Sequence, residues 1–273
     1  MGTEKVRSRR QCIVFVFAMW EEAEPVIAHL GLIRRPDSLA GLPARLFSLP
    51  DESSSRTDVH VAWNGHNARF HGNNVGTTPA AVTTYAVIQL LKPDLVISAG
   101  TAGGFQAAGS GTIADVYLSS KCVFHARRIP AAESGAGSAG SGLQQLEESG
   151  FAHIRSPPLA RLAQQIGAKI GVVSTSDSLD CSSEDLALLR SEGAAVKEME
   201  AASCAWVCQQ SKTPFFAMKA ITDVVDGAHA TQQEFYANLS FAAVALKRAV
   251  VALIECLAER PFIEWVGLPV GKL

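Results

Sequence analysis

Carboxylates follow three apolar runs of this sequence, at points where buried strands would end. They are Glu22 after CIVFVFA (12–18), Glu200 within KEMEAASCAWVC (197–208) and Asp223 after PFFAMKAI (214–221). In open α/β sheets, ligands bind outside the carboxyl ends of the strands. A carboxylate there can accept two hydrogen bonds from vicinal hydroxyls, as in ribose recognition. The three positions therefore predict one crevice for a small hydroxylated ligand.

The same carboxylates could instead have purely structural roles, and the sequence alone does not decide between these roles and ligand binding. In MWEEAEP (19–25), the acids could cap a helix, or one of them could face the pocket. Glu198 and Glu200 could simply complement the dipole at the start of a helix. Asp223 could be the N-cap of a following helix.

A glycine-rich stretch, SAGTAGGF (98–105), comes directly after the apolar run DLVI. Glycines there let a ligand approach the backbone amides closely, whereas a tight turn is the structural alternative. The spacing of Gly100, Gly103 and Gly104 does not match G-x-G-x-x-G, which argues against a dinucleotide site.

Apolar runs of strand length alternate with helical patterns along the chain. Strands are predicted at 12–18, 94–99, 115–118, 170–173 and 214–221. Several of these runs are continuous, as in strands covered on both faces. A helix is predicted over 77–94, with Thr78 as N-cap before Pro79. A last helix has one apolar face, formed by Leu239, Ala243, Leu246, Val250, Leu253 and Leu257. The alternation predicts a three-layer α/β domain.

The composition favours a small-molecule ligand over other partners. The 273 residues are 48% hydrophobic, with 24 Lys plus Arg against 26 Asp plus Glu, so the chain can bury a large core. Near-neutral charge gives no electrostatic footprint for nucleic acid or a membrane surface. The longest apolar stretches are about half the length that spanning a membrane requires.

The sequence also predicts the domain boundaries and the state of the cysteines. Residues 1–11 are expected to be a disordered leader, because MGTEKVRSRR has no apolar signal region. Residues 12–273 are expected to be one domain, with a flexible Gly/Ser-rich insertion near 131–150. Cys204 and Cys208 fit core packing, since nothing nearby completes a metal site. Reduced thiols without a signal peptide predict a cytoplasmic protein.

Five motifs occur in a fixed order along the chain: AMWEE, ISAGTAGGF, STSDSLD, EMEAAS and ITDVVDG. As a set, they resemble the nucleoside phosphorylase–nucleosidase family, and within it the plant-type 5′-methylthioadenosine/S-adenosylhomocysteine nucleosidases. The stretches NNVGTTPA (73–80), LLKPD (90–94) and VFHARRIP (123–130) extend the resemblance to the plant-type branch. The resemblance implies a nucleoside phosphorylase-like α/β/α sandwich with a central mixed sheet.

The resemblance also implies roles for matching residues. Glu22 positions or activates the attacking water, while Glu21 and Glu24 face solvent. Asp223 protonates the purine at N7, and Glu200 accepts the ribose hydroxyls. The other predicted substrate contacts are Met19, Thr101, Ala102, Gly103, Leu179, Asp180, Glu198, Met199 and Thr222.

These roles predict hydrolysis of 5′-methylthioadenosine to adenine and 5-methylthioribose, in methionine salvage. Cleavage passes through an oxocarbenium-like sugar, so one protonated acid must assist the leaving purine and one ionised carboxylate must orient water. S-adenosylhomocysteine is a second candidate substrate. The alternative is a purine nucleoside or methylthioadenosine phosphorylase, which uses phosphate. A catalytically dead nucleoside-binding protein is disfavoured, because all three expected carboxylates are present. No cofactor or metal is expected.

The resemblance further implies a homodimer, in which Phe124 of the partner subunit closes the 5′ end of the pocket. Two departures from the family pattern bear on this end of the substrate. Ala126 stands where an Asp is common, and Ser176 stands where relatives have Gly. Together with the insertion, they leave the 5′-substituent specificity open.

Overall fold

The computed structural model describes residues 10–36, 38–39, 41–50, 57–127 and 153–267. The predicted insertion at 131–150 lies outside these residues, as does the predicted leader except for Arg10 and Gln11. Gln11 already belongs to the first strand, one residue before the predicted start of the domain.

The described residues form ten strands and seven helices. The strands are β1 (Gln11–Phe17), β2 (Ile33–Arg35), β3 (Arg45–Ser48), β4 (Thr57–Trp63), β5 (Leu95–Gly104), β6 (Val116–Phe124), β7 (His153–Arg155), β8 (Lys169–Thr175), β9 (Ala194–Glu198) and β10 (Phe215–Val224). The helices are α1 (Trp20–Leu30), α2 (Thr77–Leu91), α3 (Ala160–Ile166), α4 (Ser183–Ser191), α5 (Ala201–Gln210), α6 (Thr231–Glu259) and α7 (Phe262–Trp265).

The ten strands belong to one mixed sheet. β1 pairs in parallel with β4 and with β5, and β3 and β2 continue the sheet beyond β4 in antiparallel fashion. On the other side of β5 follow β9, β8, β6 and β10, and β10 pairs back with β5. These five strands therefore close on themselves. The predicted mixed sheet is confirmed, and its closed half is an additional finding.

Helices cover both faces of the sheet, which confirms the three-layer prediction. Phe15 of β1 packs into the core beneath α1, α3 and α6, whereas Val14 and Val16 pack into the core beneath α2 and α5. Successive strand residues point to opposite faces, so a strand covered on both sides must be apolar throughout. The same rule explains β5, whose ten residues are all buried.

The predicted apolar face is found on α6, whereas the predicted start of α2 is shifted. The apolar face of α6 is buried at Ala243 and beyond, while Leu239 is half-buried. α2 begins at Thr77 with Gly76 as N-cap, so the prediction of Thr78 as N-cap was wrong. The reason is a long-range cap, because Asp177 accepts hydrogen bonds from the Thr77 amide (2.6 Å) and hydroxyl (2.7 Å).

Within the described part of the chain, no helix is both long enough and apolar enough to cross a membrane.

Candidate active site

Glu22 points inward from the first turn of α1. It is 3% exposed, and one of its oxygens accepts hydrogen bonds from the Thr101 amide and hydroxyl, both at 2.7 Å. Its other oxygen accepts from the Met19 amide at 3.3 Å, so Glu22 caps the helix as well as facing the site. Glu21 and Glu24 are exposed, as predicted. Both explanations of the acidic cluster therefore apply to Glu22.

Burial controls the titration of Glu22. Loss of water raises the pKa of Glu22, while the Lys219 ammonium and the hydrogen bonds from Thr101 oppose the rise. A carboxylate with a raised pKa is a stronger base towards water than an exposed one. The surroundings thus suit Glu22 to accept a proton more readily than an exposed carboxylate would.

Lys219 is a buried cation of the site that was not predicted from the sequence. It lies in the middle of β10 and is 1% exposed. Its Nζ lies 2.8 Å from a Glu198 oxygen and 3.9 Å from a Glu200 oxygen. Burial alone would lower the pKa of Lys219, but the surrounding carboxylates raise it, so the ammonium stays charged. The signal available in the sequence was a lysine inside the otherwise apolar run PFFAMKAI (214–221).

The absence of a side chain at Gly100 leaves space for the Glu22 carboxylate and the Lys219 ammonium. A Cβ at this position would lie 3.2 Å from both Glu22 oxygens and 3.3 Å from the Lys219 Nζ. Such contacts are tighter than side chains normally tolerate. The glycine therefore serves the packing of two buried ionisable groups against β5.

Glu198 is held entirely by the protein. It accepts hydrogen bonds from the Thr175 hydroxyl and from the amides of Glu200 (2.9 Å) and Ala201 (2.8 Å), in addition to the Lys219 ion pair. Burial alone would raise the pKa of Glu198, but Lys219 and these hydrogen bonds outweigh it and lower the pKa. The helix-start explanation applies here, because Glu198 binds the amino end of α5. Its oxygens are thus engaged by protein groups, which suits Glu198 to position Lys219.

Glu200 lies between the amino ends of α2 and α5. One of its oxygens accepts a hydrogen bond from the Gly76 amide at 2.9 Å. Burial raises the pKa of Glu200 to about 7, with Lys219 opposing this rise and Glu198 adding to it. Gly76 is required there, because its φ is +105° and a Cβ would lie 2.6 Å from Asp177 Oδ1.

The raised pKa of Glu200 predicts a pH-dependent stability. Between pH 4.5 and about 7, the unfolded chain has lost the Glu200 proton that the folded protein keeps. The free energy of unfolding must therefore fall as the pH rises through this window. We expect Glu200→Gln to remove this component, so that Tm declines less steeply from pH 4.5 to 7. Thermal melts at several pH values measure it, with the exposed Glu24→Gln as control. Parallel curves for wild type and Glu200→Gln would contradict the assignment.

Asp223 lies near the carboxyl end of β10, opposite Gly103 of β5. The Thr222 hydroxyl donates to Asp223 Oδ1 at 2.7 Å. A Cβ on Gly103 would lie 2.6 Å from Asp223 Oδ2, so the glycine admits the carboxyl group. Burial raises the pKa of Asp223, and the hydrogen bond from Thr222 only partly opposes this. The N-cap explanation was wrong, because α6 begins eight residues later, at Thr231.

The glycine-rich stretch is a strand and not a turn. Gly100 through Gly104 belong to β5, which pairs with β10 along this length and with β9 at its end. The alternative interpretation of this stretch as a tight turn was therefore wrong. The cause is the pairing of β5 on both sides, which continues the strand past the apolar run. These residues still line the region between Glu22 and Asp223.

The remaining predicted substrate contacts differ in their exposure to solvent. Met19 and Met199 are half-buried, and Leu179 and Asp180 are exposed. The Lys197 ammonium donates to the carbonyls of Ser178 (2.6 Å) and Leu179 (3.1 Å), and thereby anchors the segment that contains Leu179. Phe124 ends β6 and packs partly buried against the core beneath α2 and α5.

The chain belongs to the Phosphorylase superfamily, whose family description matches residues 13–256. It is 38% identical over 250 residues to 5′-methylthioadenosine nucleosidase of Arabidopsis thaliana, covering 91% of this chain and 88% of that protein. It is 33% identical over 249 residues to 5′-methylthioadenosine/S-adenosylhomocysteine nucleosidase of the same plant, covering 91% and 92%. The apo structure of the Arabidopsis 5′-methylthioadenosine nucleosidase matches with a TM-score of 0.82 at 36% identity, covering 92% of this chain and 97% of that one. The predicted family is confirmed.

Proposed function

We propose that this protein hydrolyses the N-ribosidic bond of 5′-methylthioadenosine, releasing adenine and 5-methylthioribose for methionine salvage. The observation that carries the proposal is the pair of buried carboxyl groups, Glu22 and Asp223, on opposite sides of the β5 stretch from Thr101 to Gly103. The nucleosidase prediction agrees with the names of both Arabidopsis relatives, which do not favour the phosphorylase alternative.

Asp223 is the proposed general acid. Adenine is a poor anionic leaving group, so a proton delivered to N7 lets it depart neutral as the C1′–N9 bond breaks. Burial raises the pKa of Asp223, which favours the protonated form that the step requires. The Thr222 hydroxyl fixes the orientation of the carboxyl group by its hydrogen bond to Oδ1.

Glu22 is the proposed base that orients water. Its carboxylate takes a proton from the water as the oxygen bonds to C1′ of the sugar. Thr101 holds one carboxylate oxygen through two hydrogen bonds, so the position of the group is fixed before the reaction begins. An ionised carboxylate beside C1′ also stabilises the cationic sugar of the transition state.

The other residues are proposed to bind the two halves of the substrate. Glu200 accepts the ribose hydroxyls, and Met199 packs on the sugar. Met19 and Thr101 complete the sugar side. The base side is formed by Ala102, Gly103, Leu179, Asp180 and Thr222. Lys219 is held by its ion pair with Glu198. Its positive charge favours the ionised forms of Glu200 and Glu22 against the effect of burial.

Charge at the nucleophile position favours water over phosphate. Glu22, Glu198 and Glu200 place three carboxylates around the Lys219 ammonium, which already pairs with Glu198. A phosphate dianion approaching Glu22 would meet a like charge in a region where water screens weakly. A neutral water molecule meets no such barrier.

Adenine release tests the proposal. Wild-type protein should release adenine from 5′-methylthioadenosine in phosphate-free buffer, and a parallel assay with S-adenosylhomocysteine measures the second candidate. Glu22→Gln should lose about 10²–10⁴-fold in kcat, because an amide cannot take up the proton. Glu24→Gln is the matched control on the exposed face of α1 and should retain full activity. Equal loss in both variants, or no loss in Glu22→Gln, would remove Glu22 from the mechanism. Binding of the nucleoside without turnover would favour a binding protein.

We also propose a homodimer, in which Phe124 of the partner subunit closes the 5′ end of the pocket. Support comes from the outer surface of α2, where Val82 and Tyr85 expose 43% and 57% of their surface. The amino end of this helix holds Glu200 through Gly76, so a partner on α2 would lie close to the site.

A cytoplasmic location likewise stays a prediction.

Light scattering at micromolar concentration tests the assembly. We expect a mass of twice the 28.9 kDa chain. Tyr85→Lys should shift the protein towards monomer and lower its activity, because it places a charge in an apolar interface. A fully active monomer would contradict the dimer.

A further inference from the structure

Three residues with metal-ligand side chains meet at the opposite end of β1 from the candidate active site. β1 and β4 are parallel, and their register pairs Cys12 with Asp58 and Val14 with His60. Side chains two apart on a strand share a face, and paired residues of neighbouring strands do so too. Cys12, Asp58 and His60 therefore lie side by side on one face of the sheet.

The three side chains are close enough to hold one ion. One potential ligand atom from each lies within 4.8 Å of the other two. His60 Nε2 is 3.1 Å from Asp58 Oδ2. In a tetrahedral site with bonds of about 2.0–2.3 Å, ligand atoms are about 3.3–3.8 Å apart. The His60–Asp58 separation is close to that range, and the two separations from Cys12 are at most 4.8 Å.

His60 is oriented as a metal ligand would be. The ring is 6% exposed, and its Nδ1 lies 2.6 Å from the Ser48 hydroxyl. The buried Nε2 has no hydrogen-bond partner among the described residues, although the Asp58 carboxylate is near. Ligating histidines commonly have their second ring nitrogen fixed by such a hydrogen bond. When Ser48 accepts from Nδ1–H, the Nε2 lone pair faces the carboxylate, and a cation between them satisfies both.

We propose that Cys12, Asp58 and His60 bind a zinc-class divalent transition-metal ion. A thiolate and an imidazole select such ions over magnesium and calcium, which prefer oxygen ligands. The thiolate and the carboxylate together balance the double positive charge. A cavity of about 460 Å³, lined by Ser48, Asp58 and His60 among others, gives water access to a fourth position. Arg10 and Arg35 also line this cavity, and Arg35 is directed to the Leu49 carbonyl at 2.7 Å.

The ion would join β1 to β4 and take no part in catalysis. Cys12 lies near the start of β1, whereas Glu22 lies in α1, which follows the end of β1. From Cys12 to Phe17 the strand rises about 17 Å, at 3.3 Å per residue. Metal binding should therefore stabilise the fold while leaving adenine release unchanged. This separation makes the proposal independent of the proposed function.

Metal titration of the chelator-treated protein tests the site. We expect one equivalent of Zn²⁺ per chain in competition with a chromophoric chelator, and a Tm rise of about 5 °C at a hundredfold excess over Kd. Co²⁺ should give a thiolate-to-cobalt absorption band. Cys12→Ser should abolish this band, and Asp58→Asn should weaken zinc binding at least tenfold.

Cys181→Ser is the matched control, because Cys181 is a more accessible thiol outside the cluster. It should bind zinc as the wild type does. Asp58 is half-exposed, so Asp58→Asn keeps the test valid if Cys12→Ser folds poorly. The proposal is overturned if wild type binds no stoichiometric zinc, if Asp58→Asn binds as tightly as wild type, or if Cys181→Ser loses binding equally.

Discussion

Asp223→Asn should lower kcat for adenine release by about 10²–10⁴-fold, the usual contribution of a general acid. Asn is isosteric with Asp and can still accept the hydrogen bond from the Thr222 hydroxyl, so the fold should be retained. It cannot donate a carboxylic proton to the purine. The wild-type rate should also fall as the pH rises through the raised pKa of Asp223, because the acid is then lost. This decline should be absent from the residual activity of the variant.

The control for Asp223→Asn is Asp115→Asn. Asp115 pairs with Lys169 at 2.6 Å near the surface, where an ion pair contributes little. It should retain wild-type kcat, and both variants should have wild-type circular dichroism spectra. A rate for Asp223→Asn within tenfold of wild type would remove Asp223 from the mechanism.

Lys219→Met should lower the free energy of unfolding by about 3–5 kcal/mol at pH 7, the usual cost of breaking a buried ion pair. Methionine fills a similar volume, but Glu198 loses the ammonium that lies 2.8 Å away. Glu22 and Glu200 lose the same neighbouring charge. The loss should shrink towards pH 5, because the carboxylates then take up protons and need no cation. Urea unfolding at both pH values measures this.

A double-mutant cycle separates the charge effect from simple loss of packing. Glu198→Gln combined with Lys219→Met removes both partners, so the double variant should be more stable than Lys219→Met alone. Lys219→Arg keeps the charge and should lose less than Lys219→Met at pH 7. A double variant whose losses are merely additive would show that the ion pair is not coupled.

Much of the fold could be predicted, because the central strands are buried on both faces. Such strands are continuous apolar runs, as in CIVFVFA for β1, and they stand out without an alignment. β2 and β7 have only three residues each, and their sequences carry too little pattern to be recognised. The closure of β10 onto β5 depends on contacts between residues more than a hundred positions apart, which no local pattern encodes.

The candidate site was predicted through its carboxylates but not through what surrounds them. Glu22, Glu200 and Asp223 follow apolar runs, which is a local signal. Lys219 lies inside such a run, and its importance appears only when three carboxylates from other elements converge on it. The glycines of β5 were interpreted as allowing a ligand to approach the backbone, with a tight turn as the alternative. The sequence does not reveal that Gly100 and Gly103 leave space for the side chains of Glu22, Lys219 and Asp223.

The identity of the sugar product distinguishes hydrolysis from phosphorolysis. 5′-Methylthioadenosine is incubated with the protein in buffers with and without phosphate, and the products are analysed by mass spectrometry and ³¹P NMR. We expect 5-methylthioribose without a phosphate group in both buffers, together with equal rates of adenine release. Formation of a sugar 1-phosphate, with no adenine released when phosphate is omitted, would contradict the hydrolase and establish the phosphorylase.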